Sequence, residues 1–213
     1  MLNPTRNPSL LRARLDRLHP TQLSVGYAEV QLKRAEWRAM KPRERDAELA
    51  RHVFPSVLGP ERVHYIIDHH HLGIALIESS VREVWLAELD DLSWLEPPIF
   101  WRTMEFRSWT HPYDHRGRRR SFKEMPDRLM QLKDDPYRSL AGMVRRAGGY
   151  AKEQTVFAEF LWADFFRPHI DAELISDQPR RATKAGVKLA QSPTARYLPG
   201  WSGKAPVAVA STD

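Results

Sequence analysis

The chain has 213 residues, of which 42% are hydrophobic and 28% are charged, a balance typical of a soluble globular fold with a sizeable core. The absence of cysteine excludes disulfides, thiolate metal sites and a cysteine nucleophile, and no apolar run is long enough to span a bilayer. The formal net charge is +6, and no apolar segment follows the early arginines as a secretory signal would. We therefore expect a cytoplasmic protein with no membrane partner that can bind an anionic one.

The first third of the sequence predicts an arm, two helices, a β-hairpin and a further helix. Residues 1–15 contain two Asn-Pro pairs and are expected to form a loosely docked arm. Residues 24–51 show helical patterning in two pieces. Residues 55–58 and 63–67 predict two short strands joined by a Gly-Pro turn. The apolar residues that follow, 72–79, predict a helix.

The rest of the chain is predicted to be mostly helical. A strand is expected over residues 83–89, and Pro97 can start a helix that ends near Trp109. A basic loop over residues 111–121 comes next. It is followed by a helix that has Asp135 as its cap.

Two further segments complete the predicted organisation. Residues 155–166 have aromatic side chains at helical spacing. Residues 178–213 are rich in Pro, Ser, Ala, Gly and Lys, which favours a flexible basic tail. We therefore predict an arm over residues 1–15, one α+β domain over residues 16–177 and a tail over residues 178–213.

The most informative stretch is the junction between the second predicted hairpin strand and the helix after it. Asp68, His70 and His71 stand where a buried strand gives way to a helix N-terminus. The free backbone N–H groups and the helix dipole make such an N-terminus attractive to anions. An imidazole beside it can donate to a phosphate oxygen or move a proton near neutral pH. A polar strand end with capping side chains is the structural alternative.

This strand, the Asp-x-His-His turn and the Ala-Leu helix resemble the core motif of the ParB/sulfiredoxin superfamily, and most closely its branch of ParB-like nucleases. The resemblance extends over about residues 15 to 170. Further matching segments are residues 19–22, 25–26, 33, 57–60, 112–114, 135–142, 147–149 and 158–165.

The resemblance implies a ParB/sulfiredoxin-like α+β fold, in which helices flank a small mixed sheet and the C-terminal half is helical. It implies binding of a nucleotide, such as ATP with Mg²⁺, or of nucleic acid at loop 68–71. Phosphoester hydrolysis or phosphoryl transfer would follow there.

The resemblance and the charge pattern together nominate three groups of residues. The candidate catalytic residues are Asp68, His70 and His71, with Asp68 also the candidate metal ligand. The candidate phosphate or nucleotide contacts are Thr21, Gln22, Lys33, His69 and Arg138. The candidate nucleic-acid contacts are Arg116, Arg118, Arg119 and Arg120, for which a solvated basic loop is the alternative.

The loop also departs from the superfamily pattern. His69 stands where a glycine is common, and its Cβ is expected to resist a positive φ. Leu72 and Ile74 replace arginines that could clamp phosphates. His70 replaces the cysteine of the sulfiredoxins, which excludes sulfinic-acid reduction by that route.

Three alternatives stay open at this point. The chain could be a binding module that holds nucleic acid on its basic surface without turnover. It could be a small-metabolite kinase like the serine kinase branch, which shares the Asp-x-His-His arrangement. A zinc site formed by His69 and His71 with His111 or His115 is a further alternative, although neighbouring residues of a strand point to opposite faces.

Overall fold

A computed structural model describes residues 8–203 of the chain. The chain divides between Asp134 and Asp135 into two compact units. This division does not coincide with the boundaries predicted at residues 15 and 177. None of the helices in the described part has the length and apolar character that crossing a membrane requires.

The first unit is an α+β fold, as predicted. Its strands are β1 (Ser9–Arg14), β2 (His19–Pro20), β3 (Ser24–Val25), β4 (Phe54–Leu58), β5 (His64–Ile66), β6 (Glu83–Asp91) and β7 (Lys133–Asp134). Its α-helices are α1 (Tyr27–Ala39), α2 (Pro42–Arg51), α3 (His70–Ile77) and α4 (Pro97–Phe106). The two predicted helices within residues 24–51 and the hairpin are confirmed.

Five strands form a mixed sheet in the order β1-β6-β4-β5-β2. β4 pairs antiparallel with β5 but parallel with β6, and β2 pairs parallel with β5. The short strands β3 and β7 form a separate parallel pair. Helix α3 is apolar after its first two residues, which are histidines, and it packs with α1. Phe54 and Ile66 are fully buried in the core that the sheet shares with these helices. The sheet therefore holds the N-terminus of α3 beside the end of β5.

The turn between β4 and β5 depends on a glycine. A Cβ added to Gly59 would lie 2.6 Å from the Tyr65 ring and 2.8 Å from the Phe100 ring. We expect Gly59→Ala to lower the free energy of unfolding by about 1–3 kcal/mol, because rings in a packed cluster cannot retreat cheaply. Gly73→Ala is the matched control, since its nearest neighbour is the end of the flexible Leu129 side chain. Urea unfolding of both variants measures the difference, and an equal effect at both positions would contradict this packing argument.

The second unit is helical in its regular structure, in line with the predicted C-terminal half. Its α-helices are α5 (Pro136–Arg146), α6 (Ala158–Phe166), α7 (Ala172–Asp177) and α8 (Pro179–Ala190). Asp135 caps α5 as predicted and accepts hydrogen bonds from the N–H groups of Tyr137 and Arg138. The core of this unit contains Trp162, whose ring stacks on Tyr150 with centroids 4.1 Å apart.

Two predictions about the ends of the chain are wrong where the structure describes them. Residues 9–14 of the predicted arm form β1, an edge strand whose Leu11 and Ala13 pack against the core. Within the predicted flexible tail, α8 packs on α5 and buries Ala182 and Ala190. Small residues that suggest flexibility in a sequence also allow two helices to approach closely. Residues 1–7 of the arm and 204–213 of the tail lie outside the described part.

Candidate functional site

The predicted junction exists, but α3 begins two residues earlier than predicted. β5 ends at Ile66 and α3 starts at His70, so His70 and His71 lie in the first helical turn rather than in a loop. The N-cap residue is His69, whose side chain makes no capping hydrogen bond. The first turn of α3 also contains no acidic residue. The positive end of the helix dipole is therefore not neutralised from within the helix.

His69 adopts the conformation that its Cβ was expected to resist. Its φ is +66° and its ψ is 20°, which is the left-handed region. This costs a non-glycine residue roughly 1–2 kcal/mol. Packing offsets that cost, because the ring makes edge contacts with Phe54 at 5.3 Å and His52 at 5.8 Å between centroids. A histidine thus occupies a backbone conformation that favours glycine.

Asp68 is the accessible carboxylate of this loop. Its side chain is 74% exposed, and its Oδ1 accepts a hydrogen bond of 2.6 Å from the backbone N–H of His69. The same oxygen lies 4.0 Å from His69 Nδ1, which is too long for a hydrogen bond but close enough for electrostatic attraction. Burial lowers the pKa of His69, an effect that the Asp68 charge opposes and that His52 and Lys33 reinforce.

His70 has a structural environment. It is 3% exposed, and its Nε2 accepts a hydrogen bond of 3.2 Å from the backbone N–H of Thr21. Complete burial lowers the pKa of His70 to about 3. A neutral ring that is shielded from water is poorly suited to exchange protons near pH 7. The predicted proton-transfer role of His70 is therefore not supported by its surroundings.

His71 joins the first turns of two helices. Its Nε2 accepts a hydrogen bond of 3.1 Å from the N–H of Gly26, the N-cap of α1. The same nitrogen lies 3.8 Å from Oε2 of Glu29, and both side chains are 12% exposed. Sequence reasoning missed Glu29, whose only signal was an acidic residue near the start of a predicted helix. This geometry supports a positioning role for His71 more than the predicted contact with phosphate.

The predicted N-terminal contacts lie close to this junction. Thr21 is buried, and besides its bond to His70 its Oγ1 donates to Ile66 O at 2.9 Å. The Gln22 side chain is turned to its own segment and donates to Ser24 O at 2.8 Å. Lys33 lies on α1 near enough to contribute to the lowered pKa of His69. Thr21 and Gln22 are thus used internally, whereas Lys33 supplies positive charge near the loop.

Arg138 belongs to the second unit. It forms ion pairs with Glu159, which also pairs with Arg145 at 2.7 Å, and its guanidinium lies over the Phe160 ring. Asp135, the N-cap of the same helix, pairs with Arg167. The predicted nucleotide contact of Arg138 stays a prediction.

The basic loop of the first unit is built around Asp114. Its carboxylate accepts hydrogen bonds from the N–H groups of Arg116 and Arg118 and from Nε of Arg120. Burial would raise the pKa of Asp114, but these hydrogen bonds outweigh burial and lower it to about 2.

The four arginines of this loop divide into two kinds. Arg119 pairs with Glu105 at 2.7 Å and Arg120 with Asp114 at 2.7 Å. The side chains of Arg116 and Arg118 are exposed, and the ion pairs identified between described residues do not include them. Half of the predicted nucleic-acid contacts are thus oriented by carboxylates, and the other half present charge to solvent.

The side chains near loop 68–71 fit a Mg²⁺ ion better than a Zn²⁺ ion. Within residues 8–203, no three His, Cys, Asp or Glu side chains are grouped closely enough to hold a metal ion. Such a closed ligand shell is what zinc takes, so the zinc alternative finds no support in this part of the chain. Mg²⁺ is commonly held by one or two carboxylates together with substrate phosphates. Asp68 therefore fits as a ligand of a Mg²⁺ ion that arrives with a nucleotide.

Comparisons with known proteins agree with the resemblance described above. A family model described as "Putative ParB-like nuclease" matches residues 11–168. The crystal structure of protein Atu1540 from Agrobacterium tumefaciens is similar, with 45% sequence identity and a TM-score of 0.87. That match covers 92% of this chain and 98% of the other. No protein with a curated description matches the sequence.

Proposed function

The chain belongs to the ParB-like nuclease family, and from this premise we propose that it binds a phosphate group of a nucleotide or nucleic acid at loop 68–71 and catalyses phosphoester hydrolysis or phosphoryl transfer there. The observation that carries the proposal is the first turn of α3. It has no acidic residue and no side-chain cap, and an exposed carboxylate and a part-exposed imidazole lie directly before it.

Phosphate binding follows from the backbone. The N–H groups of the first turn of α3 point toward the N-terminus, where a phosphate oxygen can accept their hydrogen bonds. Lys33 adds a positive charge nearby, which offsets the Asp68 carboxylate. His71 and Gly26 fix the first turns of α3 and α1 to each other through the Nε2 contact. The arginines that the superfamily uses are thereby replaced by backbone dipoles and one lysine.

The chemistry is assigned to Asp68 and His69. His69 is 29% exposed, and burial lowers its pKa, which favours the neutral ring that can accept a proton from water or a hydroxyl group. Asp68 would stabilise the imidazolium that forms, and it would hold Mg²⁺, which neutralises charge on phosphate oxygens. His70 and His71 are positioning residues in this scheme.

We expect ATP, CTP or GTP with MgCl₂ to raise the melting temperature of the protein. Asp68→Ala should remove most of the magnesium-dependent part of that shift. His69→Ala should preserve binding and lower the rate of phosphate release about 10²- to 10⁴-fold, the usual contribution of a positioned acid–base group. The exposed Asp177→Ala in α7 is the matched control for losing one surface carboxylate. Equal nucleotide shifts in Asp68→Ala and the unchanged protein would refute the site.

A non-catalytic module that binds nucleic acid is the second candidate, and the exposed Arg116 and Arg118 side chains favour it. Salt-sensitive oligonucleotide binding without any nucleotide shift or turnover would support this candidate over the first.

A further inference from the structure

A row of part-exposed aromatic rings runs across one side of the first unit. The Trp101 ring of α4 stacks on Phe122 with centroids 5.4 Å apart and an interplanar angle of 8°. Trp101 also makes an edge contact with Tyr65 of β5 at 5.4 Å, and Tyr65 contacts His19 of β2 at 5.3 Å. We call these four residues the aromatic row. None of its members is fully buried.

Arginines accompany the aromatic row at both ends. The Arg119 guanidinium lies over the Phe122 ring, 5.6 Å from its centroid, and its ion pair with Glu105 holds it there. At the other end, Nη1 of Arg128 lies 2.7 Å from Nε2 of His19. Arg116 and Arg118 extend from the Asp114-centred loop that also carries Arg119. Arg119 and Arg128 therefore lie beside rings of the row, where the carboxylates of Glu105, Glu61 and Asp127 are also close; the charges of the last two raise the pKa of Tyr65 and oppose the lowering of the pKa of His19.

We propose that the aromatic row binds a single-stranded nucleic acid, whose bases stack on the rings while Arg116, Arg118, Arg119 and Arg128 contact its phosphates. Unpaired bases stack on aromatic side chains with little regard to sequence, and a basic margin follows the backbone. In a duplex the base faces are occupied by their neighbours, so only the phosphates would be available to this surface. The arrangement therefore favours a single strand over a duplex.

Two members of the aromatic row are close in sequence to residues of the proposed site. Tyr65 precedes Asp68 by three residues, and His19 precedes Thr21, which binds His70, by two. This inference rests on the proposed function for its purpose, because the bound strand would supply the phosphodiester to loop 68–71. Binding on the row is nevertheless measured separately from nucleotide binding at the loop.

The test is fluorescence anisotropy with a labelled 12-nucleotide dT strand and with a labelled duplex of the same length. We expect the single strand to bind more tightly, and Phe122→Ala to weaken its binding about tenfold or more. The double variant Arg116→Ala/Arg118→Ala should reduce the slope of log affinity against log salt by about 1.4, which corresponds to two lost phosphate contacts on a single strand. Because both arginines are exposed, this variant tests the inference even if Phe122→Ala does not fold.

The matched control is Phe106→Ala, because Phe106 lies on α4, the helix that also carries Trp101. Phe106 is 90% exposed, but at 100° per residue it lies about 140° around α4 from Trp101 and so faces away from the row. Its replacement should leave affinity for the dT strand unchanged. Equal affinity for strand and duplex, or equal effects of Phe106→Ala and Phe122→Ala, would overturn the inference. So would a dimer in solution that Phe122→Ala dissociates, because a second copy would then cover the row.

The two proposals fail in different ways. A magnesium-dependent nucleotide shift that Asp68→Ala removes, without binding of the dT strand, would leave the proposed function standing and refute the aromatic row. Binding of the strand that Phe122→Ala weakens, without a nucleotide shift or turnover, would support the row and refute catalysis at loop 68–71.

Discussion

The free energy of unfolding should decrease as the pH falls from 7 to 5, and replacing His70 by glutamine should remove much of that decrease. In the folded protein, burial lowers the pKa of His70 to about 3, whereas an unfolded histidine titrates near pH 6.5. The unfolded chain therefore binds more protons between these two values. The stability that the neutral ring provides is complete above about pH 6.5 and is lost progressively as the pH falls toward 3.

The size of this effect follows from linkage. Each pH unit below the unfolded pKa is worth at most about 1.4 kcal/mol, so the loss from His70 at pH 5 is about 2 kcal/mol. Glutamine can still accept the hydrogen bond from the Thr21 N–H, but it does not titrate. His70→Ala leaves that buried N–H without its partner and should cost a further 1–3 kcal/mol or so at every pH.

Urea unfolding at pH 7, 6 and 5 measures the prediction. His52→Gln is the matched control, because His52 is 33% exposed and lies at the end of α2. Parallel pH profiles for the unchanged protein and His70→Gln would show that His70 is accessible to protons, and a catalytic role for it would regain support.

The sequence predicted the hairpin and β6 of the first unit and the start of α5 in the second because their signals are local. The hairpin β4–β5 follows from two apolar runs around a Gly-Pro turn, and β6 from its own apolar pattern. The cap at Asp135 follows from the Asp-Pro pair alone. Each of these elements needs only neighbours in the chain to specify it.

The roles of the three histidines could not be assigned from the sequence, since they depend on contacts between distant segments. His70 is buried by Thr21, which is 49 residues away, and His71 is held by Gly26, which is 45 residues away. Because α3 starts two residues earlier than predicted, His70 and His71 lie on helical backbone and their side chains point about 100° apart, so the two imidazoles contact different segments. His69, predicted as a phosphate contact and, in the zinc alternative, as a metal ligand, is the most exposed of the three rings.

The burial of α8 was missed for a different reason. Its composition of alanine, glycine and lysine has few large apolar residues, so it resembles a disordered tail. The small residues allow α8 to pack closely on α5, a contact that the local sequence of α8 does not indicate. A Cβ on Gly186, for instance, would lie 2.5 Å from a methyl carbon of Val144. Close packing of backbones, rather than large side chains, explains that interface.

The largest single loss of stability is expected from Asp135→Ala in the second unit. Asp135 is completely buried, and its two oxygens accept hydrogen bonds from Nη1 and Nη2 of Arg167 at 3.2 Å and 2.5 Å. The same carboxylate caps α5 through the N–H groups of Tyr137 and Arg138. Removing it leaves a largely buried guanidinium without this partner and uncaps a helix, which should cost about 3–5 kcal/mol.

Asp164 provides a control on the same arginine. It accepts a hydrogen bond of 2.9 Å from Arg167 Nε, but its side chain is 45% exposed, so water already screens the pair. Asp164→Ala should therefore cost less than about 1 kcal/mol. Urea unfolding of the two variants measures the difference.

A double-mutant cycle separates the ion pair from the cap. Replacing Arg167 by methionine in the Asp135→Ala background removes the guanidinium that has lost Asp135. The double variant should therefore be more stable than the sum of the two single losses predicts. The residual loss then belongs to the cap at the first turn of α5, which is worth about 1 kcal/mol. If Asp135→Ala costs no more than Asp164→Ala, water reaches Arg167 in the folded protein. The carboxylate would then serve only as a cap.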